Sequence, residues 1–289
     1  MNYSILETIG NTPVVRLREI EIENNIKSKL YAKLEHFNPF GSIKDRAALQ
    51  IIQDAEAQSL IKSNTIIEAT SGNMGIALSA IARIKGYKCK IVMPENISES
   101  KKKLLQIYGA EIILTDSDEG MIGSLNKVKE ILKKSDAYYC NQFNNYSSIK
   151  AHYSTTAPEI DRKLNEKIDV IISGIGSGGT ISGIGTYFKE KYNHIKIVGV
   201  EPNSYPHKIQ GIGAGFIPSI LKLDIIDEIV KISYEEAYEA RERLIKVSSI
   251  FAGISSGAVL SAAIKLSNQI EYQEKNIVMI FADSGERYI

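Results

Sequence analysis

The sequence predicts an α/β fold built on parallel sheets, and three observations predict it. Short apolar runs of β-like character alternate with longer stretches of helical periodicity along the chain. Two glycine-rich turns each follow a predicted strand and open a predicted helix. The 289 residues, 44% hydrophobic and 24% charged, are enough for two cores.

In chain order, strands are predicted at 30–34, 65–69, 90–93, 111–114, 170–173, 196–200, 229–232 and 277–281. Several, such as Val170-Ile171-Ile172 and Ile277-Val278-Met279-Ile280-Phe281, are continuous apolar runs, as expected of strands covered on both faces. Helical periodicity fills the gaps at 43–59, 73–84, 99–107, 121–133, 179–190, 234–246 and 256–269. Internal repeats, low-complexity linkers and Pro-rich hinges are absent from the sequence. Two sheets are expected rather than one, with the Asn/Tyr/Ser-rich segment 141–148 as the crossing between them.

Composition excludes several function classes. Lys plus Arg total 35 against 34 Asp plus Glu, and the basic residues are scattered, so nothing argues for nucleic acid. The run Lys101-Lys102-Lys103 reads as a solvated helix face. The first residues, Met1-Asn2-Tyr3-Ser4-Ile5, lack the basic start and apolar run of a secretory leader, and no stretch reaches membrane-spanning length. Cys89 and Cys140 lack metal-ligand spacing and are expected to be reduced, structural and cytoplasmic. His36, His152, His194 and His207 show no metal spacing either; they read as loop or packing residues, with His152 capping or packing a helix.

Three stretches carry chemistry. In Asn38-Pro39-Phe40-Gly41-Ser42-Ile43-Lys44-Asp45-Arg46, Lys44 is placed one turn into an apolar helix behind a Pro/Gly turn, with Ser42 as candidate N-cap. Helix dipole and partial burial would both depress its pKa, and a neutral lysine is a nucleophile suited to an aldehyde, pyridoxal phosphate included. An ordinary solvated helix lysine is the alternative. The turn Thr70-Ser71-Gly72-Asn73-Met74-Gly75 offers hydroxyls and free amides at a helix start, where a carboxylate fits; a simple N-cap explains it as well. In Gly174-Ile175-Gly176-Ser177-Gly178-Gly179-Thr180, three glycines satisfy the dinucleotide fingerprint, and Glu201 ends the next strand where a ribose-binding acid belongs. What that motif guarantees is bare amides at a helix N-terminus, able to hold a phosphate; which phosphate is open at this point.

Together with Gly10-Asn11-Thr12-Pro13, His207 to Phe216, Gly253-Ile254-Ser255-Ser256-Gly257 and Asp283-Ser284-Gly285-Glu286-Arg287-Tyr288, these stretches resemble, in order and over the whole chain, the cysteine synthase (O-acetylserine sulfhydrylase) family. The resemblance implies two parallel-sheet domains of the tryptophan-synthase-β-like (fold type II) architecture. A smaller mobile domain spans 37–146 and carries the substrate loop. A larger cofactor-binding domain is built from 1–36 and 147–289. It implies pyridoxal phosphate on Lys44 as a Schiff base, its phosphate on Gly176, Ser177, Gly178, Gly179 and Thr180, its ring oxygen beside Asn73, and its pyridine nitrogen at Ser284, with Asp283 as the rival. Substrate contacts are implied at Thr70, Ser71, Gly72, Asn73, Met74, Gln142 and Gly213.

The activity so implied is β-replacement on an L-serine derivative, with L-cysteine made from O-acetyl-L-serine and sulfide. A neutral hydroxyl at the pyridine nitrogen would favour loss of a β-substituent over transamination. A homodimer, and docking of a serine acetyltransferase C-terminus, are implied on the same basis. Met74, where the family usually has Thr, resembles the β-cyanoalanine synthase branch, so the second reading takes L-cysteine as substrate and releases hydrogen sulfide, forming serine, lanthionine or cyanoalanine. The segment Phe143-Asn144-Asn145-Tyr146-Ser147 replaces a usual Pro-Ala-Asn sequence, and the family's usual short tail does not follow Ser284. A third reading, from another class, is a non-catalytic sensor of amino acids or peptides; the intact Lys44 argues against it.

Overall fold

The computed structural model describes residues 4–165 and 167–288. A six-stranded sheet and a four-stranded sheet are each covered on both faces by helices. The smaller sheet has β3 (Thr65–Ala69), β4 (Lys88–Pro94), β5 (Glu111–Thr115) and β6 (Tyr138–Tyr139) in the order β5-β4-β3-β6, all parallel. On one face Ile66, Ile91 and Met93 pack against α2 (Lys44–Ala57), α3 (Asn73–Lys85) and α4 (Glu99–Ile107). Ile67, Ala69 and Val92 alternate to the other face and meet Val128 of α5 (Gly120–Leu132).

The larger sheet runs β1-β2-β10-β7-β8-β9, from β1 (Val14–Arg16), β2 (Lys29–Leu34), β7 (Val170–Gly174), β8 (Lys196–Pro202), β9 (Glu228–Ile232) and β10 (Asn276–Phe281). All its neighbours are parallel except β1, which pairs antiparallel to β2. Ile277, Met279 and Phe281 face α9 (Tyr234–Ser248) and α10 (Ile254–Ser267); Val278 and Ile280 face α8 (Gly179–Lys191) and α7 (Ala157–Leu164). Among the described residues no helix is long and apolar enough to cross a membrane. Cys89 and Cys140 are free and buried.

Several elements exceed the sequence expectation. β1, β6, a short helix α1 (Arg18–Glu23), α6 (Ser147–Ala151) and α7, joined to α6 by a π-turn at His152–Thr156, had no periodic signal of their own. Lys44 also starts its helix rather than lying one turn inside it, and Ile43 occupies the cap position with helical backbone angles. The physical reason is a second anchor: the Ile43 N–H donates to Ala282 O at 2.8 Å, and Ser42 pairs with Asp283 as an isolated antiparallel bridge. Ser42 still serves the helix start, its Oγ accepting the Lys44 N–H at 3.2 Å, while Asp45 Oδ2 reaches back to the Phe40 N–H at 2.7 Å.

Behind this helix start lies a buried ionic cluster. Arg46 makes ion pairs of 2.7 Å with both Glu35 and Glu159, and Lys33 reaches Glu159 at 2.6 Å. Because Arg46 is two residues beyond Lys44, the cluster pins the lysine's helix to β2 and α7.

Candidate active site

The carboxyl ends of β3, β7 and β10 open onto one cavity of about 290 Å³ between the two sheets, where ligands of open parallel sheets bind. Lys44 enters it from the start of α2. Its Nζ lies 3.5 Å from Ser177 Oγ, and burial lowers its pKa to about 8, the Asp283 charge working the other way. A substantial fraction of this amine is therefore neutral near physiological pH, as nucleophilic attack on an aldehyde requires.

Opposite it, the turn between β7 and α8 packs too closely on neighbouring segments for side chains. A Cβ on Gly176 would stand 2.5 Å from Gly211 O, and one on Gly179 would stand 2.7 Å from Ser148 Cβ. Gly178 turns the chain with φ of +87°, aiming the first amides of the 13-residue α8 into the cavity. Gly176, Ser177, Gly178 and Thr180 line the cavity, with Gly179 just behind. Thr180 Oγ1 is held by His152 Nε2 at 3.2 Å, and His152 Nδ1 meets Thr156 Oγ1 at 2.9 Å. Burial, then the Arg46 and Lys44 charges, push His152 down to about 3, so it is neutral. The histidine expected to cap or pack a helix thus orients a hydroxyl at the start of α8 from the π-turn that delivers it.

Thr70, Ser71, Gly72, Asn73 and Met74, at the junction of β3 and α3, line the side of the cavity contributed by the smaller sheet, with Gln142 alongside. Buried Glu68 ties these pieces together: its Oε1 accepts the Ala69 N–H at 3.0 Å and its Oε2 the Gln142 N–H at 3.1 Å. Burial raises its pKa to about 8. Met74 is 2% exposed and lines the cavity. Gly213, Tyr205 and Phe143 form the mouth, Phe143 meeting Phe216 edge-on at 5.1 Å.

A family model described as pyridoxal-phosphate dependent enzyme matches residues 5–283. The chain belongs to that family. It is 41% identical to a cysteine synthase of Staphylococcus aureus over 99% of this chain and 95% of that protein. The crystal structure of a cysteine synthase from Entamoeba histolytica superposes with a TM-score of 0.96 at 38% identity, covering all of this chain and 89% of that one. A hydrogen sulfide-producing enzyme from Fusobacterium nucleatum gives 0.95 at 42% identity, covering 100% of both chains.

The residues present fit the pyridoxal phosphate that this family uses. The glycine-rich turn brings the N-terminus of α8 to the cavity, where a phosphate would be held by backbone amides, and Lys44 lies beside it. The dinucleotide reading fails on Glu201, which ion-pairs with Lys231 of β9 and does not line the cavity.

Ser284 does not come to the cavity either. Its Oγ accepts the Glu286 N–H at 3.3 Å in the turn that follows, because the Asp283–Ser42 bridge sends Asp283 inward and Ser284 outward. Asp283, 1% exposed, lines the cavity, as does Ser255 at the start of α10. Ser255, in the Gly253-Ile254-Ser255-Ser256-Gly257 stretch, is a serine of the cavity wall. The fold thus brings Ser255, and not Ser284, to the cavity.

Proposed function

We propose that this pyridoxal-phosphate dependent enzyme catalyses β-replacement on an L-serine derivative and makes L-cysteine from O-acetyl-L-serine and sulfide. The observation that carries this reading is convergence: a lysine with pKa lowered to about 8, the glycine-rich start of α8 and the Thr70 to Met74 start of α3 share one cavity. The cofactor, when bound, supplies an electron sink that acidifies the substrate Cα–H. Amides and hydroxyls of Thr70 to Met74, with Gln142, hold the substrate carboxylate; Asn73 would be the residue beside the cofactor's ring oxygen. Lys44 Nζ takes the Cα proton and later returns it. The apolar surfaces of Met74, Met121 and Ile212 exclude water from the reacting carbons. Residues 37–146 form the smaller domain and close over a bound carboxylate.

A second reading uses L-cysteine as the first substrate and releases hydrogen sulfide, giving serine, lanthionine or cyanoalanine. Met74 and the likeness to the Fusobacterium enzyme favour it. A cytoplasmic homodimer with a docking site for a serine acetyltransferase C-terminus belongs to the proposal through the family resemblance. The test is Lys44→Ala: turnover of O-acetylserine with sulfide, followed as cysteine formed, should fall to background, and turnover near wild type would refute the assignment.

A further inference from the structure

Arg287 has no part in the chemistry described above, yet it touches two of the segments that build the site. It stands in the short turn Gly285–Tyr288, after β10. Its Nη1 donates to Asn73 Oδ1 at the start of α3, and its Nη2 donates to the Phe40 carbonyl oxygen in the turn before Lys44. Gly41 makes the room: its φ is +79°, and a Cβ there would stand 2.6 Å from Arg287 Nη2. The next residue, Tyr288, holds the turn in place. Its hydroxyl donates to Asp283 Oδ2, and the Lys101 ammonium of α4 lies 5.2 Å from its ring centroid. Lys101, expected on a solvated helix face, is thus drawn to this turn.

These contacts decide which way the Asn73 amide faces. Its Nδ2 donates to Asp283 Oδ2 at 2.6 Å while its Oδ1 accepts from Arg287. Turned by half a revolution, the amide would set its oxygen against a carboxylate and its N–H groups against a guanidinium that can only donate. Because one planar fork spans Asn73 Oδ1 and Phe40 O, it also sets the separation between the substrate loop and the lysine's turn. Burial raises the carboxyls of Asp45 and Asp283, and the Arg287 charge is among the effects that oppose it, as its place between them requires.

Resting on the β-replacement reading above, in which Asn73 stands beside the cofactor's ring oxygen, we propose that Arg287 is a positioning residue that acts on cofactor and first substrate through Asn73. It holds that amide in one orientation and at one distance from the turn that delivers Lys44. The guanidinium is not itself part of the cavity wall, so its effect passes through the side chain it grips.

The test is a double-mutant cycle on protein stripped of cofactor and titrated with pyridoxal phosphate. In the wild-type background Arg287→Met should weaken cofactor affinity about tenfold, the loss of one hydrogen bond from a charged donor. Arg287→Lys keeps the charge but not the fork and should lose nearly as much. In an Asn73→Ala background, with no amide to orient, the same Arg287 substitution should cost about threefold or less. A larger loss in that background, or no loss in the wild-type background, would overturn the inference, because Arg287 would then serve the fold without acting through Asn73. If Arg287→Met does not fold, the cycle run with Arg287→Lys decides by the same criteria. In the reconstituted proteins, the O-acetylserine concentration that half-converts the visible band should follow the same cycle. Wild-type protein whose band responds to neither O-acetylserine nor L-cysteine would overturn the β-replacement reading, while the cofactor titration still decides the role of Arg287.

Discussion

Replacing Glu159 by Gln tests how the lysine's helix is held. Burial alone would raise the Glu159 pKa, but hydrogen bonds and charge from Arg46, and then from Lys33, outweigh it and hold the group at about 2 against an ordinary 4.5. That depression corresponds to about 3 kcal/mol of folding stability at neutral pH. The folded pKa lies below the unfolded one, so the contribution is fully present above about pH 5 and is lost as pH falls toward 2. The variant also leaves Lys33 and Arg46 with less negative charge nearby, and breaking buried pairs costs about 3–5 kcal/mol by this route. Urea unfolding of wild type and Glu159→Gln at neutral pH should therefore differ by about 3 kcal/mol, and by less than half of that near pH 3. A difference that does not change with pH, or one below about 1 kcal/mol at neutral pH, would refute the claim that the cluster anchors α2 electrostatically.

Further outcomes follow from the cavity walls. Gly176→Ala drives a methyl group to 2.5 Å from the Gly211 carbonyl oxygen, backbone against backbone. A cost of about 1–3 kcal/mol should appear as at least a tenfold weaker cofactor affinity, measured by titrating protein stripped of cofactor. His152→Ala releases Thr180 Oγ1 and should weaken cofactor binding roughly fivefold to tenfold in the same titration, the worth of about one hydrogen bond; unchanged affinity would count against its orienting role. In cofactor-free protein, acylation of Lys44 by an amine-selective reagent should rise with pH through a midpoint near 8, because the neutral amine reacts and burial lowers the pKa from 10.5. A midpoint near 10.5 would show that the ammonium is not desolvated.

Much of this architecture is legible in the sequence because parallel strands buried on both faces are continuous apolar runs. The predicted strand 65–69 and helix 99–107 match β3 and α4 residue for residue. What escaped is explained by weak local signal. β6 is two tyrosines on a sheet edge, defined only by pairing with β3. The helices at 147–164 begin in an Asn/Tyr/Ser-rich segment whose order comes from packing against α2 and α8. At the site, the glycine-rich turn before α8 and the Thr70 turn before α3 could be recognised as strand-to-helix turns from spacing alone. Residues brought in across the fold could not: Ser255 and Asp283 line the cavity from the start of α10 and from just after β10, and His152 meets Thr180 from the π-turn. Telling that Asp283 rather than Ser284 lines the cavity needed the bridge between Asp283 and Ser42, a contact between residues 241 positions apart.

The central claim is that Lys44, the glycine-rich turn before α8 and the Thr70 to Met74 loop form one pyridoxal-phosphate β-replacement site. The visible absorption spectrum of the purified protein, recorded before and after O-acetylserine and separately L-cysteine, tests it most directly. A yellow protein whose visible band converts with O-acetylserine, and only weakly with cysteine, is the predicted result. Conversion by cysteine with sulfide release would select the second reading and point to Met74. A colourless protein that added pyridoxal phosphate cannot turn yellow would contradict the account.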